Sequence, residues 1–229
     1  MSPGRTVTAL IFVAVAAAAA PAPLRAQADD DPILVVELWS ELDPIVADGG
    51  ERPVPREVAI GRLLDEAIFV FSGMVYGFEF SYAPAAPDRG IEEEFELEPY
   101  ATIVRGDPRL EVFQTWVQAD RLYARITYEV DPQQEDWYRG WKSAANPRSR
   151  GVGTAPFIRG PTVKPEATRD AIRMAIRNHA RTLELNRPRL ITGAVVIADA
   201  PRVVVREGSY EATVRAVLQI DSIERYELY

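Results

Sequence analysis

Four groups of residues in this chain have the types and spacing to do chemistry: the sole histidine, a ladder of arginines, a run of glutamates and a cluster of aromatics. His179 could act as a general base or a metal ligand, but either role needs a partner. No G-x-S-x-G elbow, no H-E-x-x-H and no second histidine occurs. His179 instead falls at helical spacing with Ile172, Ile176 and Leu183, so it reads as a histidine packed on an apolar stripe.

Arg169, Arg173, Arg177 and Arg181 recur every four residues. On a helix each step turns about 40° past one repeat, so the guanidinium groups form a slowly winding ridge. Such forks match the oxyanions of phosphates, uronates or lipid headgroups. The plainer reading is a solvated face relieved by Glu166, Asp170 and Glu184, or docked on the acidic run Glu92 to Glu98. Within that run, Glu92, Glu93, Glu94, Glu96 and Glu98 could supply paired carboxylates for glycoside cleavage, or calcium ligands. No EF-hand loop accompanies them, and Glu94, Glu96 and Glu98 alternate with Phe95 and Leu97 as the wet face of an edge strand would.

Trp137, Tyr138 and Trp141 crowd together with Arg139 and Lys142. Aromatic and cationic side chains on one patch suit glycan stacking or a protein contact, while two tryptophans one turn apart also suit a core cap. The segment that follows carries Arg148, Arg150, Arg159 and Lys164 among glycines. Gly151-Val152-Gly153 lacks the third glycine of a dinucleotide fingerprint, so nucleotide binding is not expected. The binding residues expected from sequence are therefore Trp137, Trp141, Lys142, Arg148, Arg150, Arg159, Arg173 and Arg177, where the glycine-rich segment meets the aromatic helix and along the ridge. No catalytic residue, metal or cofactor is expected.

These residues need elements to hold them. Ile60, Leu63, Leu64, Ala67, Ile68, Phe71, Met74 and Val75 have the clearest helical period, with Arg56, Glu57, Arg62, Asp65 and Glu66 assigned to the other face and Gly77 as the stop. Alternation then predicts strands over residues 78–82 and 95–104, and a hairpin of 109–118 with 121–130. Asp131-Pro132-Gln133-Gln134 starts a short helix to about residue 143. Residues 146–165 read as a long irregular stretch, 165–185 as a second long helix, and 190–198 and 203–220 as closing strands with a turn at Glu207-Gly208. The sum is an α+β fold: a mainly antiparallel sheet of about six or seven strands, covered on one face by two long amphipathic helices and one short helix.

Composition narrows the function classes. The 229 residues carry 26 basic and 34 acidic side chains, a formal charge of −8, which repels nucleic acid and anionic lipid as a whole. There is no cysteine, hence no disulfide, thiolate nucleophile or lipidated cysteine, and only two lysines, Lys142 and Lys164. Arg5, the uncharged run Val7 to Ala20, the breakers Pro21 to Pro23 and the small-x-small triplet Ala26-Gln27-Ala28 predict a cleaved Sec-type signal peptide over residues 1–28, cut after Ala28. No twin-arginine pair precedes the apolar run. Beyond it, the longest greasy stretch, Ala67 to Val75, contains Ser72 and Gly73 and is too short to span a bilayer, so no transmembrane helix is expected in the mature chain. Residues 29–229 then form one exported domain, with 29–54 a candidate loosely ordered N-terminal segment.

Phe69-Val70-Phe71-Ser72-Gly73-Met74-Val75-Tyr76-Gly77-Phe78, with Gly160-Pro161 ahead of the arginine helix, resembles uncharacterised exported proteins of spirochaetes. The resemblance implies no activity. Residues 167–220 also resemble the helix-and-hairpin layout of small envelope domains such as those of flagellar accessory proteins, an analogy of fold alone. The leading expectation is a periplasmic or secreted protein that acts by binding or assembly rather than catalysis, on an envelope protein, a glycan or an anionic ligand. Two alternatives stand beside it: an envelope hydrolase using acidic residues and His179, and a small-molecule carrier with its ligand between sheet and helices near Trp116 and Tyr128.

Overall fold

A computed structural model describes residues 32–46, 52–142, 145–184 and 186–226. The expected signal peptide and its cut after Ala28 lie outside these residues. Pro55, with its preset φ, leads into helix α1 (Arg56–Val75). The helix ends where Tyr76 and Gly77 both donate to the Ser72 carbonyl, and Gly77 takes φ +79°, which a side chain would disfavour. The C-terminal half of α1 is buried nearly all round, including Val70, Phe71, Met74 and Val75. A helix buried on several faces must lie between layers rather than on one.

Two antiparallel sheets supply those layers. In the first, β1 (Ile33–Glu41), β5 (Arg121–Glu129) and β4 (Leu110–Gln118) lie in the order β1-β5-β4. In the second, β3 (Glu94–Pro99), β2 (Phe78–Ala83), β7 (Leu190–Ile197), β9 (Ser209–Glu224) and β6 (Arg148–Pro156) follow in that order, and β8 (Arg202–Arg206) hairpins onto β9. Helix α1 packs on β1 and β5 of the first sheet and on β7 of the second. The α+β class, the antiparallel pairing, the two long helices and the short one hold. The described residues contain nine strands in two sheets rather than six or seven in one, and the helices do not share a single face. Residues 33–41, within the candidate loose segment, form β1, whose nine positions all pair with β5.

Helix α2 (Pro132–Trp141) starts as its capping box requires: Gln134 N donates to the Asp131 carboxylate at 2.8 Å, and Asp131 N donates to the Gln134 side chain at 3.0 Å. Helix α3 (Lys164–Leu183) is the arginine helix. It lies against β6 and β9.

The segment expected to be irregular begins instead with a strand. Residues 148–156 form β6, paired with β9 along its whole length. The inward positions of β6 are Ser149, Gly151, Gly153 and Ala155, so an apolar/polar alternation is nearly absent although the strand is regular. A Cβ built on Gly151 would lie 1.9 Å from the Ala171 carbonyl oxygen, and one on Gly153 would lie 2.0 Å from the Ala171 nitrogen. The helix backbone fills the space that side chains would otherwise take.

Candidate functional site

Burying a charge is costly unless an opposite charge and hydrogen bonds surround it, so buried ionic groups beside a cavity are the places to look for a site. Glu66 is three residues after Leu63 and four before Val70 on α1, which puts it on the buried stripe, not on the polar face expected for it. It is 7% exposed, and Lys164, the first residue of α3, is 5% exposed. Their ion pair spans 2.8 Å. The Lys164 ammonium also donates to the Trp39 carbonyl and sits 4.5 Å from the Trp39 ring centroid. A carboxylate, a carbonyl and an aromatic face thus surround the ammonium and stabilise its charge.

The end of β1 and the start of β9 close the same space. Trp39 Nε1 donates to the Val203 carbonyl at 3.0 Å, tying the first sheet to β8 of the second, and the Arg121 guanidinium lies 4.1 Å from the Trp39 ring centroid. Tyr210, fully buried, donates its hydroxyl to Glu41 at 3.2 Å. The result is a cavity of about 310 Å³ walled by Trp39, Leu63, Phe69, Pro161, Pro165 and Tyr210. Glu41, Arg62, Glu66 and Lys164 line it too, and Asp65 at its margin is paired with Arg105 on the surface. Apolar walls with a few convergent polar groups are the usual composition of a small-molecule site. With Asp65 matched by Arg105, the remaining lining holds equal numbers of acidic and basic side chains.

The residues expected from sequence lie elsewhere and in several places. Trp141, Lys142 and Arg148 meet with Tyr138 and Asp199 around a pocket of about 220 Å³. Trp137 is 49% exposed on the outer side of α2, with its ring 6.5 Å from that of Tyr100. Arg150 projects outward from β6, and Arg159 pairs with Glu166 at 2.9 Å. Arg173 is held by Asp170 at 2.5 Å and by Glu93, which docks that part of the ridge on the acidic run. Arg177 faces a separate cleft at the other end of α3. The expected meeting of glycine-rich segment and aromatic helix thus forms around Trp141, Lys142 and Arg148, and Trp137 and Trp141 line a second hollow with Asn146 and Gln219.

His179 is half-buried, and burial alone pulls its pKa below the ordinary value, with no carboxylate contributing. Glu93 accepts from the Tyr82 hydroxyl at 2.7 Å, while Glu92, Glu94, Glu96 and Glu98 are exposed on and before β3. The geometry does not bring the histidine and the acidic run into one catalytic set. Tyr128, where a carried ligand was expected, is 0% exposed, stacked on Phe71 at 5.8 Å and bonded to Gln134, and Trp116 stacks on Tyr123 at 5.4 Å. That position is filled by protein. Among the described residues no group of three or more His, Asp or Glu side chains is placed to hold a metal, and no helix is long and apolar enough to cross a membrane.

Trp39, Glu41, Glu66 and Tyr210 were not singled out as site residues by sequence, and Lys164 was noted only among the cations of the glycine-rich segment. One signal was present: Glu66 interrupts an apolar stripe at helical spacing. Its ion-pair partner Lys164 lies 98 residues further along the chain, and only the fold brings the two together.

The chain matches a protein-family model over residues 19–226 and belongs to that family. An uncharacterized protein of Treponema pallidum (strain Nichols) is 24% identical to it over 197 residues, which cover 85% of this chain and 82% of the relative. The resemblance to uncharacterised spirochaete proteins therefore holds. No solved structure matches the chain.

Proposed function

For this member of the family, we propose an exported, non-catalytic binding protein that holds a small neutral or zwitterionic molecule with an apolar portion in the cavity between α1, the end of β1 and the start of α3. The observation that carries this reading is the charge-balanced cluster of Glu41, Arg62, Glu66 and Lys164 inside walls of Trp39, Leu63, Phe69 and Tyr210. A ligand with net charge would leave one member of that cluster uncompensated in a low-dielectric site. A zwitterion can instead offer an ammonium to a glutamate and a carboxylate to a cation while its apolar part meets the aromatic wall. The cavity's size suits a molecule of about amino-acid dimensions, at the small end of ligand sites. Export through residues 1–28 belongs to the same reading and is supported by the pattern of Arg5, the apolar run and Ala26-Gln27-Ala28.

Calorimetric titration with leucine, with isoamylamine and with 4-methylpentanoate separates the charges of the probe. Leucine is expected to bind at least about tenfold more tightly than either half-charged analogue, the loss of one charge-assisted contact. The double change Lys164→Met with Glu66→Leu removes the ion pair without leaving a lone buried charge, so folding is retained while leucine binding is lost. Equal binding by that variant, or no binding of any of the three probes, overturns the proposal. Mass spectrometry of the exported protein is expected to find Asp29 as its first residue.

A further inference from the structure

The carboxyl end of α3 carries a second and separate cavity, a cleft of about 420 Å³. Arg177, Arg181 and Arg187 line it over a floor of Pro84, Ala180, Pro188 and Ile191. Two acids also stand in the wall, and both are already matched. Glu93 accepts from Tyr82 and pairs with Arg173, and Glu184 is held by Arg225 at 2.6 Å, which lowers its pKa. Arg177 and Arg181 have no ion-pair partner among the described residues. Arg187 reaches only the Ala85 carbonyl at 3.3 Å and an exposed Asp88 at 3.8 Å. The end of α3 offsets about half a charge through its peptide dipoles, far less than three guanidinium groups. Three arginines converging on a concave surface focus a local positive field that attracts anions, although the chain as a whole carries a net charge of −8.

We propose that this cleft binds an oxyanion, a phosphate or carboxylate group, gripped by Arg177 and Arg181 one helical turn apart and by Arg187 from the loop before β7. Guanidinium forks donate paired hydrogen bonds to such groups, and the proline-lined floor accommodates an apolar or sugar portion beyond the anion. A free anion and the headgroup of an anionic lipid present the same chemistry to the arginines. This site shares no residue with the α1–α3 cavity, so its failure leaves that reading untouched.

The test uses the mature chain at low ionic strength, where screening is weak. Inorganic phosphate and citrate are titrated by calorimetry, and vesicles of phosphatidylglycerol or phosphatidylcholine are floated with the protein. Arg177→Gln with Arg181→Gln is expected to weaken anion binding by about tenfold or more, since both lost contacts are charge-assisted. Arg202→Gln with Arg206→Gln removes the same charge elsewhere on the surface, on β8, and is expected to leave binding unchanged. Arg177→Lys with Arg181→Lys keeps the charge but loses the forks, and so weakens binding to an intermediate degree. Capture by phosphatidylglycerol vesicles that free phosphate displaces assigns the anion to a lipid headgroup, and binding of phosphate or citrate without vesicle capture assigns it to a free anion. No binding in either arm, or equal loss in the Arg202/Arg206 control, overturns the proposal.

Discussion

His179 shows what a single side chain contributes when its surroundings offer no partner. Burial lowers its pKa from 6.5, so the folded protein prefers the neutral ring and the unfolded chain takes up the proton first. The stabilisation from the neutral ring is complete above pH 6.5 and is lost as pH falls through the lower folded value. Because no other histidine exists, comparison with a His179→Leu variant isolates that titration. Melting temperatures measured between pH 7 and pH 5 are expected to fall more steeply for the wild type than for the variant. A difference that stays constant across that range would show that the ring does not titrate as described. The packed character of His179 was legible because Ile172, Ile176 and Leu183 share its stripe. The burial of Glu66 was legible only in part, because charge and period pointed to opposite faces and its neutralising lysine begins a helix that is distant in sequence.

Helices and strands were readable wherever side chains announced their period. Residues 60–75 carry an apolar stripe, the hairpin of β4 and β5 alternates, and Asp131 and Gln134 form both halves of the cap expected of them. Strand β6 was illegible for a physical reason: Gly151 and Gly153 face a helix that sits directly on the backbone, so the buried side of the strand has no apolar side chains to count. The same feature yields a contrast between two glycines. Gly153→Ala forces a methyl group into the α3 backbone and is expected to destabilise by about 3 kcal/mol or more, at the upper end of overpacking effects. Gly61→Ala, on α1 with nothing within 4 Å of the added carbon, is expected to stabilise by about 0.5–1 kcal/mol by reducing the freedom of the unfolded chain. Urea unfolding of both variants measures the two signs, and a neutral Gly153→Ala would mean that α3 can stand off from β6.

At the scale of the molecule, α1 is the shared core of both sheets, and Trp39 hydrogen-bonds from β1 to β8 across them. Neither sheet can lose α1 without exposing the other, so unfolding is expected as one transition. Tryptophan fluorescence, from Trp39 and Trp116 in the first sheet and Trp137 and Trp141 on α2, should therefore follow the same thermal curve as far-ultraviolet circular dichroism. Separated midpoints would mean that the β1-β5-β4 sheet melts on its own. The two-sheet arrangement was hidden from local patterns because its pairings join distant strands, as Phe78 does with Val195. Helix α3 holds twenty residues, about 30 Å of length, with the charge-balanced cavity at its first turn and the arginine cleft at its last. A helix seated backbone to backbone has no side chains on which to roll, and a slide along β6 would carry the Ala171 backbone off Gly151 and Gly153 toward the side chains of Ser149 or Ala155. It acts as a strut: occupants at its two ends are kept at a set distance, and any single partner that engages both must be long enough to span it.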